Sequence, residues 1–193
     1  MKHLCILIML ASALFASAQQ STTRNVVIPQ ESNLGVNQKD YTEQSTGFFC
    51  VAQLTSAYTL NSNIDKFGFS SIEAIGGYRF SDYFRAGIGL GARYYYNEGD
   101  IRHMNHHLGM PLFLDLRGNF IPNAYRDVVP FWSLDLGTTF PDGLMVRPSI
   151  GIRVGQPRSA FIVSLGYIGQ KIRTCTDNDN FASGITLNLG YEF

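Results

Sequence analysis

Apolar and polar residues alternate along this chain from Phe48 onward. A period of two marks strands with one face buried, not helices. Eight runs carry the alternation: 48–60, 67–80, 84–96, 110–120, 130–140, 144–155, 159–169 and 183–193. In 84–96, for example, Phe84, Ala86, Ile88, Leu90, Ala92, Tyr94 and Tyr96 oppose Arg85, Gly87, Gly89, Gly91 and Arg93. The connections alternate as well. Ser81-Asp82-Tyr83 and Gln156-Pro157-Arg158 are short, whereas 61–66, 97–109 and 170–182 are mostly longer and more polar. Two links break that rhythm: 121–129 is long and 141–143 is short. The pattern predicts an all-β fold, an eight-stranded antiparallel up-and-down β-barrel over residues 47–193. Residues 19–46 are polar without a sustained period and read as a flexible lead-in.

Alternation does not by itself say which face points outward, because a barrel in water shows the same period with its faces exchanged. Three features decide. The polar face is rich in glycine, which suits a crowded eight-strand interior. Aromatics gather near strand ends on the apolar face, among them Phe48, Tyr78, Phe84, Tyr96, Phe140, Tyr167 and Phe193; interfacial girdles of membrane barrels look like this. Strand charges of both signs fall on the polar face alone: Glu73, Arg93, Asp115, Arg117, Asp135, Arg147 and Arg153. Turning those side chains toward hydrocarbon would cost on the order of 10–20 kcal/mol at ~2–4 kcal/mol per basic group at the midplane. A whole domain is stable by only ~5–15 kcal/mol. The charges therefore belong inside and the apolar face belongs in a bilayer.

An eight-stranded interior is just wide enough to be filled by its own side chains. Glu73, Asp115 and Asp135 are expected near mid-depth, joined into a salt-bridge network with Arg93, Arg117, Arg147 and Arg153, whose planar forks can serve two carboxylates. Such a cluster is either an ion path or a plug of satisfied charge. The narrow lumen and mixed sign favour the plug.

The start of the chain changes the compartment. Lys2 and His3, the apolar run 4–15 and Ala16-Ser17-Ala18 read as a secretory signal peptide over 1–18. About 175 residues would remain, one domain's worth. Charged residues make up 16% of the chain, below the soluble average of about 25%. The formal net charge is zero, which gives no footing for nucleic acid. Lys39, Lys66 and Lys171 fall in expected loops or the lead-in. Cys50 and Cys175 are expected at opposite ends of the barrel, too far apart to bridge.

Candidate chemistry is sparse. His103, His106 and His107 form a group that could hold zinc or copper, but no acid or thiol lies within it. Asp177-Asn178-Asp179-Asn180 resembles part of a calcium loop but lacks the glycine and the distal glutamate. No G-x-S-x-G turn is present. The expectation is no catalysis and no cofactor.

The runs Gly47-Phe48-Phe49, Met110-Pro111-Leu112-Phe113-Leu114-Asp115-Leu116-Arg117 and Pro148-Ser149-Ile150-Gly151-Ile152-Arg153 resemble the bacterial outer-membrane β-barrel domain family, which shares its shape with the small OmpA- and OmpX-like barrels. The resemblance spans about 47–193. It implies periplasmic termini and insertion by an outer-membrane assembly machinery that reads the last strand, with Tyr191 and Phe193 as the signal. It carries no shared catalytic residues. Together these readings predict a monomeric outer-membrane barrel in contact with outer-membrane lipids and lipopolysaccharide. Its role would be structural or one of surface contact through 97–109 and 170–182. A small-solute channel is the alternative, and a lipid-modifying enzyme a more distant one.

Overall fold

The structure, a computed structural model, describes residues 46–62, 67–97, 107–122, 127–156, 158–172 and 180–193. Residues 1–45, which include the expected signal peptide and most of the lead-in, lie outside it, as do His103, His106 and Cys175. All eight predicted runs are strands: β1 (Gly47–Ser62), β2 (Phe67–Arg79), β3 (Phe84–Asn97), β4 (Leu108–Asn119), β5 (Val128–Phe140), β6 (Gly143–Gln156), β7 (Ser159–Ile172) and β8 (Asn180–Glu192). Each pairs antiparallel with the next, and β8 pairs with β1 to close the barrel. Closure leaves no strand edge unpaired. The end holding Gly47, Glu192 and the β2–β3, β4–β5 and β6–β7 links is called the turn end, and the opposite one the loop end.

The strands run longer than the alternation predicts. β7 continues through Gln170 and Lys171 to Ile172, paired with β8 from Asn180 onward. Lys171, expected in a loop, is therefore a strand residue. The reason is that a ladder needs only backbone N–H and C=O groups, whereas alternation records contact with an apolar surroundings and fades beyond it.

The outward face is apolar. Phe48 is 85% exposed, and Leu54, Ile72, Ile88, Leu112, Leu114, Ile150, Val163 and Leu187 also face out. Two aromatic rims flank this band. Phe48, Tyr78, Phe80, Phe84 and Phe161 mark the turn end, while Tyr58, Tyr94, Tyr96, Phe140, Tyr167 and Phe181 mark the loop end. Several rim rings meet edge to face, such as Phe48 with Tyr78 at 5.2 Å and Phe161 with Tyr191 at 4.9 Å.

Inside, the buried residues are charged and polar but also apolar: Phe49, Val51, Ile75, Phe113, Phe131 and Ile162 belong to the interior. The glycines of β3 make room for this filling. A Cβ on Gly89 would overlap the Phe113 ring, and one on Gly91 would collide with Ile72 backbone and Glu73.

Candidate functional site: the charged lumen

Strand parity sends every second side chain inward, so the charged positions of neighbouring strands meet across the lumen at three depths. The middle layer is built on Arg147 of β6. Its Nη2 lies 2.6 Å from Glu73 Oε2 and its Nη1 3.0 Å from Glu73 Oε1. Its Nε donates to Asp135 Oδ2 at 2.7 Å. Glu73 also accepts from Ser71 Oγ at 2.7 Å and from Thr55 and Gln53 at 3.3 and 3.4 Å. Asp115 and Asp135 stand directly opposite on β4 and β5. Two like charges in that position repel; here Arg117 Nε bonds both Asp115 oxygens at 2.8 Å while Arg147 holds Asp135. Arg93 is 4.0 Å from Glu73 and lies over the Phe69 ring at 3.9 Å, and Arg147 faces the Phe113 ring at 5.1 Å. The interior aromatic rings thus each cover a guanidinium, a group that is weakly hydrated and stacks on aromatic faces.

The turn-end layer is organised differently. Arg79, Arg85 and Arg153, from β2, β3 and β6, converge on Glu192 of β8. Arg85 Nη1 reaches both Glu192 oxygens at 3.0 and 2.9 Å, and Arg153 Nε lies 3.3 Å from Oε2. Arg153 also donates to the Gln156 carbonyl at 2.9 Å. Arg153 was expected above or below the mid-depth acids and paired with them; it pairs with Glu192, because its register against Val129 and Ile162 sets it one layer nearer the turns.

At the loop end, Asp142 of the β5–β6 turn is buried. The Tyr95 hydroxyl donates to it at 2.5 Å, Gln170 Nε2 donates to it at 3.2 Å, and Gln170 Oε1 accepts from Arg93 at 2.5 Å. The short link at 141–142, between β5 and β6, is explained by this inward fold of Asp142.

The other predicted residues are placed as follows. His107 is exposed at the start of β4; its ring stacks near Tyr94 and its carbonyl accepts from Tyr95 N at 2.9 Å. Among the described residues no group of three His, Cys, Asp or Glu could hold a metal ion. Cys50 is a free, half-buried thiol on β1. Tyr191 packs against Phe161 and Phe193, its hydroxyl 2.7 Å from Ser159 Oγ, and Phe193 exchanges backbone bonds with Cys50. Asn180 lies in β8, and 177–179 fall outside the described residues. Sequence reasoning placed Arg79, Arg85 and Glu192 on the polar face of their strands without joining them, and singled out the 141–143 link as short without assigning Asp142 a role. The signal for the first three was their shared parity at strand ends; for Asp142 it was the unusual shortness of its turn.

A closed barrel of eight antiparallel strands, apolar outside and ionic within, is the small-barrel architecture that the sequence resemblance implied. No protein-family model matches the chain, and no curated protein does. Solved structures do. The crystal structure of Neisserial surface protein A is similar with a TM-score of 0.52 at 14% identity, over 76% of this chain and 97% of that one. The outer membrane protein OprG from Pseudomonas aeruginosa gives 0.47 at 11% identity, over 77% and 97%. The N-terminal β-barrel domain of Pseudomonas aeruginosa OprF gives 0.41 at 16% identity, over 76% and 97%. The likeness to the first is one of fold.

Proposed function

We propose that this protein is a monomeric, integral outer-membrane β-barrel whose lumen is plugged by ion pairs and whose role is structural or one of surface contact. The observation that carries this reading is the inversion of the wall: exposed Leu, Ile and Val outside, between aromatic rims, with Arg93, Arg147 and Arg153 at 0% exposure inside. Water would not tolerate that arrangement, because an exposed apolar band of this extent drives association. A bilayer satisfies it. The termini then face the periplasm, and the loop end faces outward with 97–109 and 170–182 as contact surfaces. Outer-membrane lipids and lipopolysaccharide surround the wall. The assembly machinery reads the outward aromatics of β8, Tyr191 and Phe193. The protein is not an enzyme in this reading: the buried acids at mid-depth are bonded to arginines and none is presented to a substrate.

The test of the wall is the variant Leu114→Arg, which puts a cation on the outward face of β4. It should lower stability by about 2–4 kcal/mol, as for a basic group near the bilayer midplane, read as a fall in the temperature at which the folded band shifts on a gel. Unchanged stability in Leu114→Arg, with extraction from cells in the absence of detergent, overturns the membrane reading. The closed lumen is tested separately by planar-bilayer recording. Purified protein should give no discrete conducting steps; regular steps would make it a small-solute channel.

A further inference from the structure

Asp115 and Asp135 are cross-strand partners on β4 and β5. Further along the same ladder the Phe120 N–H donates to the Pro130 carbonyl. Hydrogen-bonded and non-bonded pairs alternate along an antiparallel ladder, so Asp115 and Asp135, five residues away, form a non-bonded pair, the kind whose side chains stand closer. Their carboxyl groups are within hydrogen-bonding reach of each other, and at 0% and 2% exposure neither meets water. The arginines do not serve them equally. Arg117 Nε lies 2.8 Å from both Asp115 oxygens. Arg147 gives Asp135 only its Nε, to Oδ2, and turns both Nη groups to Glu73. Asp135 Oδ1 is buried and receives no hydrogen bond. An anionic oxygen left bare beside a second carboxylate costs free energy twice, through desolvation and through repulsion.

We propose that Asp115 and Asp135 hold one proton between them, as an O–H···O bond through Asp135 Oδ1 that ties β4 to β5 and is lost as pH rises. Two carboxyl groups sharing one site keep a proton that belongs to the pair. With it, Arg147 has one carboxylate to neutralise, Glu73, instead of two, and the bare oxygen becomes part of a hydrogen bond. The charged groups around the pair are Arg117 beside it on β4, Arg147 opposite on β6 and, across Arg147, Glu73 of β2 with Arg93 of β3 at 4.0 Å. Arg85 of β3 stands opposite Arg117 and bonds Glu192 of β8. On β1 the network meets the uncharged Gln53 and Thr55, and residues 160–170 of β7 include no charged residue. The folded protein then binds one proton more than the unfolded chain, whose carboxyls are ionised above about pH 5. The sign follows: stability falls as pH rises.

The test uses full-length protein in dodecyl maltoside micelles. Infrared spectra at about pH 6, where exposed acids are ionised, should contain the C=O stretch of a protonated carboxylic acid, which a carboxylate lacks. The band should vanish in Asp135→Asn and in Asp115→Asn alike, because the proton needs both partners. Asp135→Asn copies the protonated acid: its amide donates to Asp115 while its carbonyl accepts from Arg147. It should therefore fold and resist urea as the wild type does at that pH. From about pH 5 to 7 the unfolding constant of the wild type should rise by up to about tenfold per unit relative to that of Asp135→Asn. Two ionised carboxylates give the opposite results: no acid band, parallel pH profiles, and an Asp135→Asn that unfolds early because Arg147 has lost an anion. Absence of the band from the wild type overturns the proposal whether or not either variant folds, and so do parallel profiles.

Discussion

The middle and turn-end layers of the lumen use the same side chains to opposite effect. At mid-depth the charges are matched: Glu73 and Asp135 share Arg147, and Asp115 has Arg117. At the turn end Arg79, Arg85 and Arg153 share Glu192. Burial of an ion pair roughly breaks even against a hydrophobic filling, but burial of an unmatched ion costs several kcal/mol. The middle layer is therefore built around a shared cation, Arg147, and the turn-end layer around a shared anion, Glu192. The contrast teaches that charge inside a small barrel is not one kind of feature. One layer depends on a single guanidinium and the other on a single carboxylate.

The largest effect should come from breaking the matched layer at its centre. Arg147→Met fills similar space but leaves Glu73 and Asp135 without their shared cation. The expected loss is about 3–5 kcal/mol, measured by urea unfolding in micelles. Added anions should not restore it, because the deficit is one of positive charge. If Arg147→Met unfolds like the wild type, the middle layer is not the seal.

Glu192→Gln tests the other side of the comparison. It keeps the size of the side chain and an accepting oxygen but removes the charge that Arg79, Arg85 and Arg153 converge on. A loss of about 3 kcal/mol is expected. Unfolding of Glu192→Gln at the wild-type urea concentration would mean that the turn-end arginines do not depend on Glu192.

The strands, their order and their faces were legible in the sequence because all three depend on period-two alternation, which is local. Depth was not. Arg153 carries the same parity as Arg147, and nothing within β6 says that one meets Glu73 and the other Glu192; that follows from the stagger between strands. Nor was the apolar filling visible. Leu112-Phe113-Leu114 is apolar throughout, so alternation is silent there, yet Phe113 points in and its neighbours point out. Asp142 was hidden for a third reason. Pro141-Asp142-Gly143 has ordinary turn composition, and only the tertiary position of Tyr95 and Gln170 turns Asp142 inward.

That loop-end trio gives the smallest effect and a third term for the comparison, since it holds a turn instead of filling a layer. Tyr95→Phe keeps the ring that meets Phe67 and Phe69 edge to face at 6.0 and 5.8 Å. It removes the hydroxyl that donates to Asp142 and accepts from Gln170 at 3.0 Å. A hydrogen bond to a charged group contributes about 1.5–3 kcal/mol, and Gln170 still reaches Asp142, so a loss near the lower figure is expected. It should be local. Amide hydrogen exchange should quicken at Asp142 and Gly143, while Glu73, Asp135 and Arg147 keep their protection, because a turn can open without disturbing the ladder beneath it. Equal loss of protection at both depths would mean that Asp142 is part of the seal, and that the loop end and the middle of the lumen open as one unit.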